Sequence, residues 1–352
     1  MVICSMVLYG LIWPISVLPD IETVAVYEGE QETPALTASL PDENYKDVTS
    51  VLRGILSNYY ADTEVVQQER AFKRVISWRE DFENIADKYL NVNWKMLSAI
   101  IKAETQGRTG RQESRAKAVG LSQIKYQGAW AFLWDALFRQ EIKTDSGYVK
   151  DYYNANLRVR YQSQLQQIYQ YLEENKILVK PSDRSEKAYR RARYVSWTNL
   201  KEHLSKKYEP GEYQVAVDIA AMYIDHIINT VHRVKHQVVK IKEYVESNHL
   251  DRSSELKLSG TTKIRWDSIK FKLLNQKGEH DFRETTLYRL NHIQNRLEDP
   301  LIFSAAYNFG ISKCLEYIET GMKLPNGISQ YVKKVSSYHS IFNVIDTFKL
   351  YS

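Results

Sequence analysis

The sequence is poor in cysteine, proline and glycine. Its 352 residues include two cysteines, eight prolines and fourteen glycines. Two cysteines, Cys4 and Cys314, supply neither a disulfide framework nor a cysteine-based zinc spacing. The eight histidines form no HExxH pair, so we expect no metal and no other cofactor. Alternating strand patterns are also scarce, and the only weak candidate lies at 255–264.

Apolar residues are plentiful, at 43%, and charged residues make up 26%. With so little glycine, this composition is typical of a helical body with a substantial core, and we predict an all-α fold. The net charge of +5 suits an acidic partner such as nucleic acid, an anionic membrane or a cell-wall polymer. Charge alone does not choose among these partners.

The first 19 residues carry no charge and could just cross a bilayer core as a helix. We predict that 1–19 is an export leader or membrane anchor. The alternatives are an N-terminal core helix or a misassigned start. Acidic residues and prolines dominate 20–43, which predicts a disordered linker.

Helical periodicity runs from about residue 44 nearly to the end of the chain. It predicts helices at 45–60 and 63–90, a break at 91–93 and a new helix starting near Trp94. We divide the chain into an N-terminal helical region, 44–77, and a main domain, 78–345. Two long segments at about 128–212 and 230–298 are predicted to be insertions, mainly helical, in that domain.

The segment 176–207 is strongly basic, with ten Lys or Arg residues against three Asp or Glu residues. Basic residues interleaved with Tyr and Trp can bind nucleic acid. No nucleic-acid motif accompanies them here, so we regard nucleic acid as an unlikely partner. A solvated helical face, or a groove wall that attracts an anionic glycan or membrane, are the other interpretations.

Two glutamates, Glu104 and Glu113, each precede a hydroxyl residue. On a helix over 94–105, Leu97, Ile100, Ile101 and Glu104 fall at i, i+3, i+4 and i+7, on one face. Glu104 thus ends an apolar stripe, where poor solvation favours the neutral carboxyl that a general acid needs. Glu113 has cationic neighbours and no such stripe. Position therefore favours Glu104 as a candidate acid.

Three motifs follow in order. The first is Gly120-Leu121-Ser122-Gln123, sixteen residues after Glu104; the second is SAAYNFG at 304–310; the third contains Tyr331-Val332. Together with Glu104-Thr105, they resemble the soluble-type lytic transglycosylases, lysozyme-like enzymes with an E-S, G-L-M-Q, A-Y-N-A-G and Y-V pattern. The resemblance covers about 78–125 and 298–340. Thr105, Ser122 and Phe309 depart from the family's Ser, Met and Ala.

The resemblance implies an all-α, lysozyme-like catalytic domain and a set of site residues. Glu104 would be the acid and then the base, and Tyr307 would hydrogen-bond and orient it. The residues implied in substrate binding are Gly120, Ser122, Gln123, Ala306, Asn308 and Tyr331. Asp299-Pro300 favours a helix start before the second motif, and Gly310 favours its end.

The implied reaction cleaves the N-acetylmuramic acid to N-acetylglucosamine bond of peptidoglycan and gives a 1,6-anhydro product without consuming water. We therefore expect glycan strands as the partner and the cell envelope as the location, with envelope or secretion-machinery proteins as possible further partners. A muramidase that hydrolyses the same bond remains an alternative. So does a non-catalytic glycan-binding or scaffold protein with the same fold.

Overall fold

The computed structural model describes residues 48–108, 118–139, 157–206, 213–247, 282–299, 302–320, 323–347 and 349, with the backbone of 141–144 and 147–150. Contacts divide the chain into two units. The larger unit contains 31–225 and 333–352, and the smaller unit contains 1–30 and 226–332. The predicted leader, the acidic linker, Glu113 and the candidate strand at 255–264 all lie outside the described residues.

The described chain is mainly helical, as predicted. The larger unit contains α1 (Val48–Ser57), α2 (Asp62–Ile76), α3 (Arg79–Ala86), α4 (Trp94–Thr105), α5 (Ala129–Phe138), β1 (Glu141–Thr144), β2 (Gly147–Lys150), α6 (Gln162–Glu174) and α7 (Glu186–Ser205). The smaller unit contains α9 (Phe282–Leu297), α10 (Ile302–Phe309) and α11 (Ile311–Thr320). Helices α8 (Gln214–Ser247) and α12 (Asn326–Thr347) contain residues of both units.

The start of α4 confirms the predicted helix at Trp94. Asn93 caps it, because its side chain accepts a hydrogen bond from the backbone N–H of Met96. The helix predicted over 63–90 is wrong: α2 ends at Ile76 and α3 begins at Arg79. The chain turns at Trp78, whose ring is buried and packs edge-on against Phe82. The buried ring of Trp78 thus lies at the break between α2 and α3.

A short antiparallel hairpin interrupts the segment predicted to be a mainly helical insertion. Strands β1 and β2 pair in the register Glu141 with Lys150 through Thr144 with Gly147. We did not predict this hairpin. At four residues each, its strands are too short to show a clear alternating pattern.

Two aromatic clusters form the core of the larger unit. In the first, Phe72 on α2 contacts Tyr338 and Phe342 on α12, at ring-centroid distances of 5.6 and 5.1 Å. In the second, Trp130 lies 5.8 Å from both Trp134 and Trp197, and all three rings are buried. The ring of Trp94 on α4 lies 5.9 Å from that of Phe342, and Trp130 and Trp134 belong to α5, so the clusters include both helices that flank the turn at 119–124 in sequence.

In the smaller unit, Arg296 on α9 donates to the carbonyl of Tyr317 on α11, at 3.1 Å. Gly310 separates α10 from α11 with φ +95°, which confirms the predicted end of α10. Cys314 is buried on α11. No described helix has both the length and the apolar character needed to cross a membrane. Across the described ranges, no cluster of three or more His, Cys, Asp or Glu side chains could hold a metal ion.

Candidate functional site

Glu104 lies in the last turn of α4, where the apolar stripe ends. Leu97, Ile100 and Ile101 are each 1% exposed, whereas Glu104 is half-buried. The helix ends because Gln106 adopts a left-handed conformation, with φ 56°. The predicted face of α4 is therefore confirmed, and its one acidic side chain is placed at the edge of the core.

Basic side chains gather at this helix end. The ammonium of Lys334 donates to the carbonyl of Ala103 at 3.1 Å, and the guanidinium of Arg74 donates to the carbonyl of Gln106 at 3.1 and 3.2 Å. Both bonds satisfy carbonyls that a helix terminus leaves unpaired, and both cations suit the negative end of the helix dipole. Neither contact could be predicted from the sequence, because Lys334 is 231 residues from Ala103 and Arg74 is 32 residues from Gln106.

Thr105 joins α4 to the predicted turn. Its hydroxyl is buried and lies 3.1 Å from the carbonyl oxygen of Ile101 and 3.0 Å from that of Leu121, within hydrogen-bond distance of both. The turn closes on itself, since Val119 and Ile124 exchange backbone hydrogen bonds of 3.1 and 2.9 Å. The hydroxyl after Glu104 thus places residues 119–124 beside the end of α4.

Three residues of this turn were predicted to bind substrate, and the structure buries all three. A Cβ on Gly120 would lie 3.2 Å from Leu204 and 3.6 Å from Ala216, so the close approach at Gly120 is made by protein. The hydroxyl of Ser122 donates to the carbonyl of Ala216 at 3.1 Å. The side-chain amide of Gln123 donates to the carbonyl of Gly120 at 2.9 Å.

These contacts give Gly120 and Ser122 a structural role within the protein. Gly120 has φ +73°, which favours glycine, and it fits against α7 and α8. Ser122 is 1% exposed and anchors the turn to α8. Substrate contacts of Gly120, Ser122 and Gln123 stay predictions.

Lys125 directly follows the turn, and we did not predict it as a site residue from the sequence. Burial lowers the pKa of the Lys125 ammonium, and the charge of Glu104 acts in the opposite direction. The two groups therefore lie within electrostatic range of each other. Their attraction favours the charged form of both, which opposes our expectation that desolvation alone keeps Glu104 neutral.

Two buried aspartates on α8 have a different character. Asp218 accepts hydrogen bonds from Lys88, at 2.7 Å, and from the hydroxyl of Tyr89. Asp225 accepts from the backbone and side chain of Asn91, both at 2.9 Å, and from the hydroxyl of Tyr161 at 2.6 Å. These bonds tie α8 to the segment between α3 and α4 and to Tyr161, which precedes α6, so we assign the two carboxylates a structural role.

In the smaller unit, α10 carries the second motif. Ala305, Ala306 and Tyr307 are buried, and Asn308 is half-buried. Ala306 is 0% exposed, so its small side chain serves packing, and its substrate contact stays a prediction. The ring of Phe309 packs edge-on against Tyr317 at 5.3 Å. The hydrogen bond predicted between Tyr307 and Glu104, and the substrate contact of Asn308, remain predictions.

Tyr331, from the third motif, is half-buried on α12. Its role in lining a groove remains a prediction. The helix start predicted at Asp299-Pro300 is described in part: the N–H of Ile302 bonds to the carbonyl of Asp299 at 3.1 Å, whereas Pro300 lies outside the described residues.

Comparisons of the chain with models of known families, with curated proteins and with solved structures gave no match. The geometry of the site and the motifs of the sequence are therefore the grounds for a functional proposal.

Proposed function

We propose that the protein is a peptidoglycan lytic transglycosylase of lysozyme-like fold that acts in the cell envelope, with Glu104 as its acid and base. One observation carries the proposal: the hydroxyl of Thr105 contacts the carbonyl of Leu121 at 3.0 Å. It couples the glutamate at the end of α4 to the turn that the motif pattern requires sixteen residues later.

The proposed reaction uses one carboxyl group twice. Glu104 protonates the glycosidic oxygen, and the bond from that oxygen to the anomeric carbon breaks. The carboxylate then accepts the proton of the muramoyl 6-hydroxyl, whose oxygen forms the new bond to the anomeric carbon. Atoms and charge balance without water, so a second carboxylate at glycosidase spacing is not required.

The surroundings of Glu104 exert two opposing influences on its protonation, and each suits one half of this cycle. The half-buried position favours the protonated acid, whereas Lys125 favours the carboxylate that must act as base. A group that alternates between these forms needs both influences. Tyr307 is proposed to orient the carboxyl group of Glu104. Asn308 and Tyr331 are proposed to contact the glycan.

A second candidate, a glycan-binding protein without activity, is favoured by the same lysine. If the attraction of Lys125 dominates, Glu104 stays ionised and cannot protonate the leaving oxygen. This candidate shares the partner, peptidoglycan, with the first.

Digestion of purified peptidoglycan sacculi tests the proposal, with products identified by mass spectrometry. We expect anhydro-muropeptides from the wild type, and a rate lower by at least about 100-fold from Glu104→Gln, the usual loss for a general acid. Asp218→Asn, at a buried structural carboxylate, is the matched control and should alter stability more than the products. Hydrated ends that depend on Glu104 would indicate a muramidase. Retained binding without any product would indicate the second candidate.

A further inference from the structure

An exposed aromatic surface lies on α7, in the segment predicted to be an insertion. Tyr194 is 62% exposed, which is unusual for so large an apolar ring, and its ring packs edge-on against Tyr126 at 6.4 Å. The ring of Tyr126 also lies 6.0 Å from that of Trp197, which is buried. Tyr194 is thus the exposed member of a row of three neighbouring rings, which ends at the buried ring of Trp197.

Arg193 adds a positive charge to this surface. Its guanidinium stacks over the ring of Tyr126 at 4.3 Å, and its Nη2 donates to the side chain of Gln127 at 3.1 Å. Its buried Nε has no acceptor among the described residues. The indole of Trp130 donates to the carbonyl of Arg193 at 3.3 Å and fixes the backbone. We call Tyr126, Arg193 and Tyr194 the α7 platform.

The α7 platform begins next to the candidate site. Tyr126 directly follows Lys125, whose charge interacts with that of Glu104, and successive Cα atoms are about 3.8 Å apart. All of these residues belong to the larger unit. Tyr126, which contacts Tyr194, is therefore adjacent in sequence to the lysine on which the charge of Glu104 acts.

Some of the positive charges in and beside α7 are matched by carboxylates of the same segment. Arg190 pairs with Glu186 and Lys206 pairs with Glu202, both at 2.8 Å, so two of the cations in this region are already matched by carboxylates. Nucleic-acid binding draws on many unpaired cations along the phosphate backbone. A polymer with one carboxylate per repeat and flat apolar faces needs a ring and a guanidinium.

We propose that the α7 platform is a secondary binding surface for a glycan strand with carboxylate substituents, which it guides toward Glu104. A sugar ring stacks on Tyr194, and the guanidinium of Arg193 donates hydrogen bonds to a carboxylate of the strand. This inference rests on the proposed function for the identity of the polymer.

Binding of the Glu104→Gln protein to sacculi and to soluble, carboxylate-bearing glycan fragments tests the platform without cleavage during the measurement. We expect Tyr194→Ala to weaken binding roughly tenfold, the usual effect of truncating an aromatic anchor. Tyr194→Phe should retain most of the affinity. Tyr288→Ala is the matched control, because Tyr288 is 64% exposed on α9, and it should bind within about twofold of the parent.

Arg193→Gln separates the two parts of the platform. It should weaken binding of the carboxylate-bearing fragments and leave the weaker binding of uncharged N-acetylglucosamine oligomers unchanged. Equal affinities for Tyr194→Ala and Tyr288→Ala, or no binding by the parent, would overturn the inference. So would Tyr194-dependent retention on single-stranded DNA with glycan binding unaffected. If wild type binds through Tyr194 but yields no cleavage products, the platform stands and the proposed reaction fails.

Discussion

Lys102 and Lys125 are two lysines near Glu104 whose surroundings differ. Lys102 is close to Glu104 in sequence, and Lys125 lies within its electrostatic range. Lys102 is fully buried on α4, with its ammonium 4.7 Å from the ring of Phe72 and 4.2 Å from that of Tyr338. Burial, together with the positive charges of Lys334 and Arg74, lowers its pKa to about 7. Burial also lowers the pKa of Lys125, but there Glu104 opposes the shift.

The difference shows what each lysine does. Two positions apart on a helix, Lys102 and Glu104 point to different faces. The face of Lys102 is fully buried, whereas Glu104, in the last turn of α4, is half-buried. Lys102 has two aromatic faces and the side-chain carbonyl of Gln68, at 2.8 Å, as partners for its charge. Lys125 shares its environment with a carboxylate, and such pairs are typical of functional sites.

The largest effect is expected at Lys102. In the folded protein its pKa is about 7, whereas an exposed lysine titrates near 10.5. Between these values the unfolded chain binds more protons, so the stability contributed by this group rises with pH across that window and is lowest below pH 7. Lys102→Met removes the cost of burying the charge. It should raise the free energy of unfolding by a few kcal/mol at pH 6, and by less at pH 10.

Chemical denaturation at a series of pH values measures this effect. Lys206→Met is the control, because the side chain of Lys206 is 69% exposed and its substitution should change stability equally little at every pH. A gain at Lys102→Met that does not vary with pH would show that the cage of Phe72 and Tyr338 holds the charged lysine without penalty.

The second effect concerns Lys125 and depends on the proposed reaction. Lys125→Met removes a cation that favours the carboxylate of Glu104, so the protonated acid should persist to higher pH. The alkaline limb of kcat/KM for sacculus cleavage should move to higher pH. Lys125→Arg keeps the charge and should leave the limb in place. An unmoved limb in both variants would mean that another group sets it.

Much of α4 could be predicted from sequence, because the information is local. Asn93 and the spacing of Leu97, Ile100 and Ile101 fix its start and its buried face. The partners at its end could not be predicted, since Lys334 and Arg74 come from distant parts of the chain. Ser122 shows the same limit: a motif marks its position, but only tertiary packing shows that its hydroxyl bonds to Ala216.

The third effect tests how Lys125 is placed. Lys102 is positioned by α4 itself, whereas Lys125 follows the turn that the hydroxyl of Thr105 contacts at Leu121. Thr105→Val leaves that buried carbonyl without this partner and should cost about 1–2 kcal/mol of stability. Thr198→Val is the control, because the exposed hydroxyl of Thr198 bonds only one turn back, to Tyr194, and its loss should cost less. Equal losses would show that the contact to Leu121 does not secure the turn.

The smallest effect isolates the pair itself and requires no activity. Glu104→Gln keeps the size of the side chain but removes the charge that opposes the burial of Lys125, so the pKa of Lys125 should fall. Lys102 should titrate as before, because Glu104 is not among the charges that act on it. NMR of ¹³C-dimethylated lysines follows both titrations in one sample, with Lys102 as the internal reference. A shift at Lys102 and none at Lys125 would reverse the assignment of the two lysines. A fall in the pKa of Lys125 alone would establish that Glu104, at the end of α4, and Lys125 form a coupled acid and base. Lys102, buried on the same helix, would then have no part in that pair.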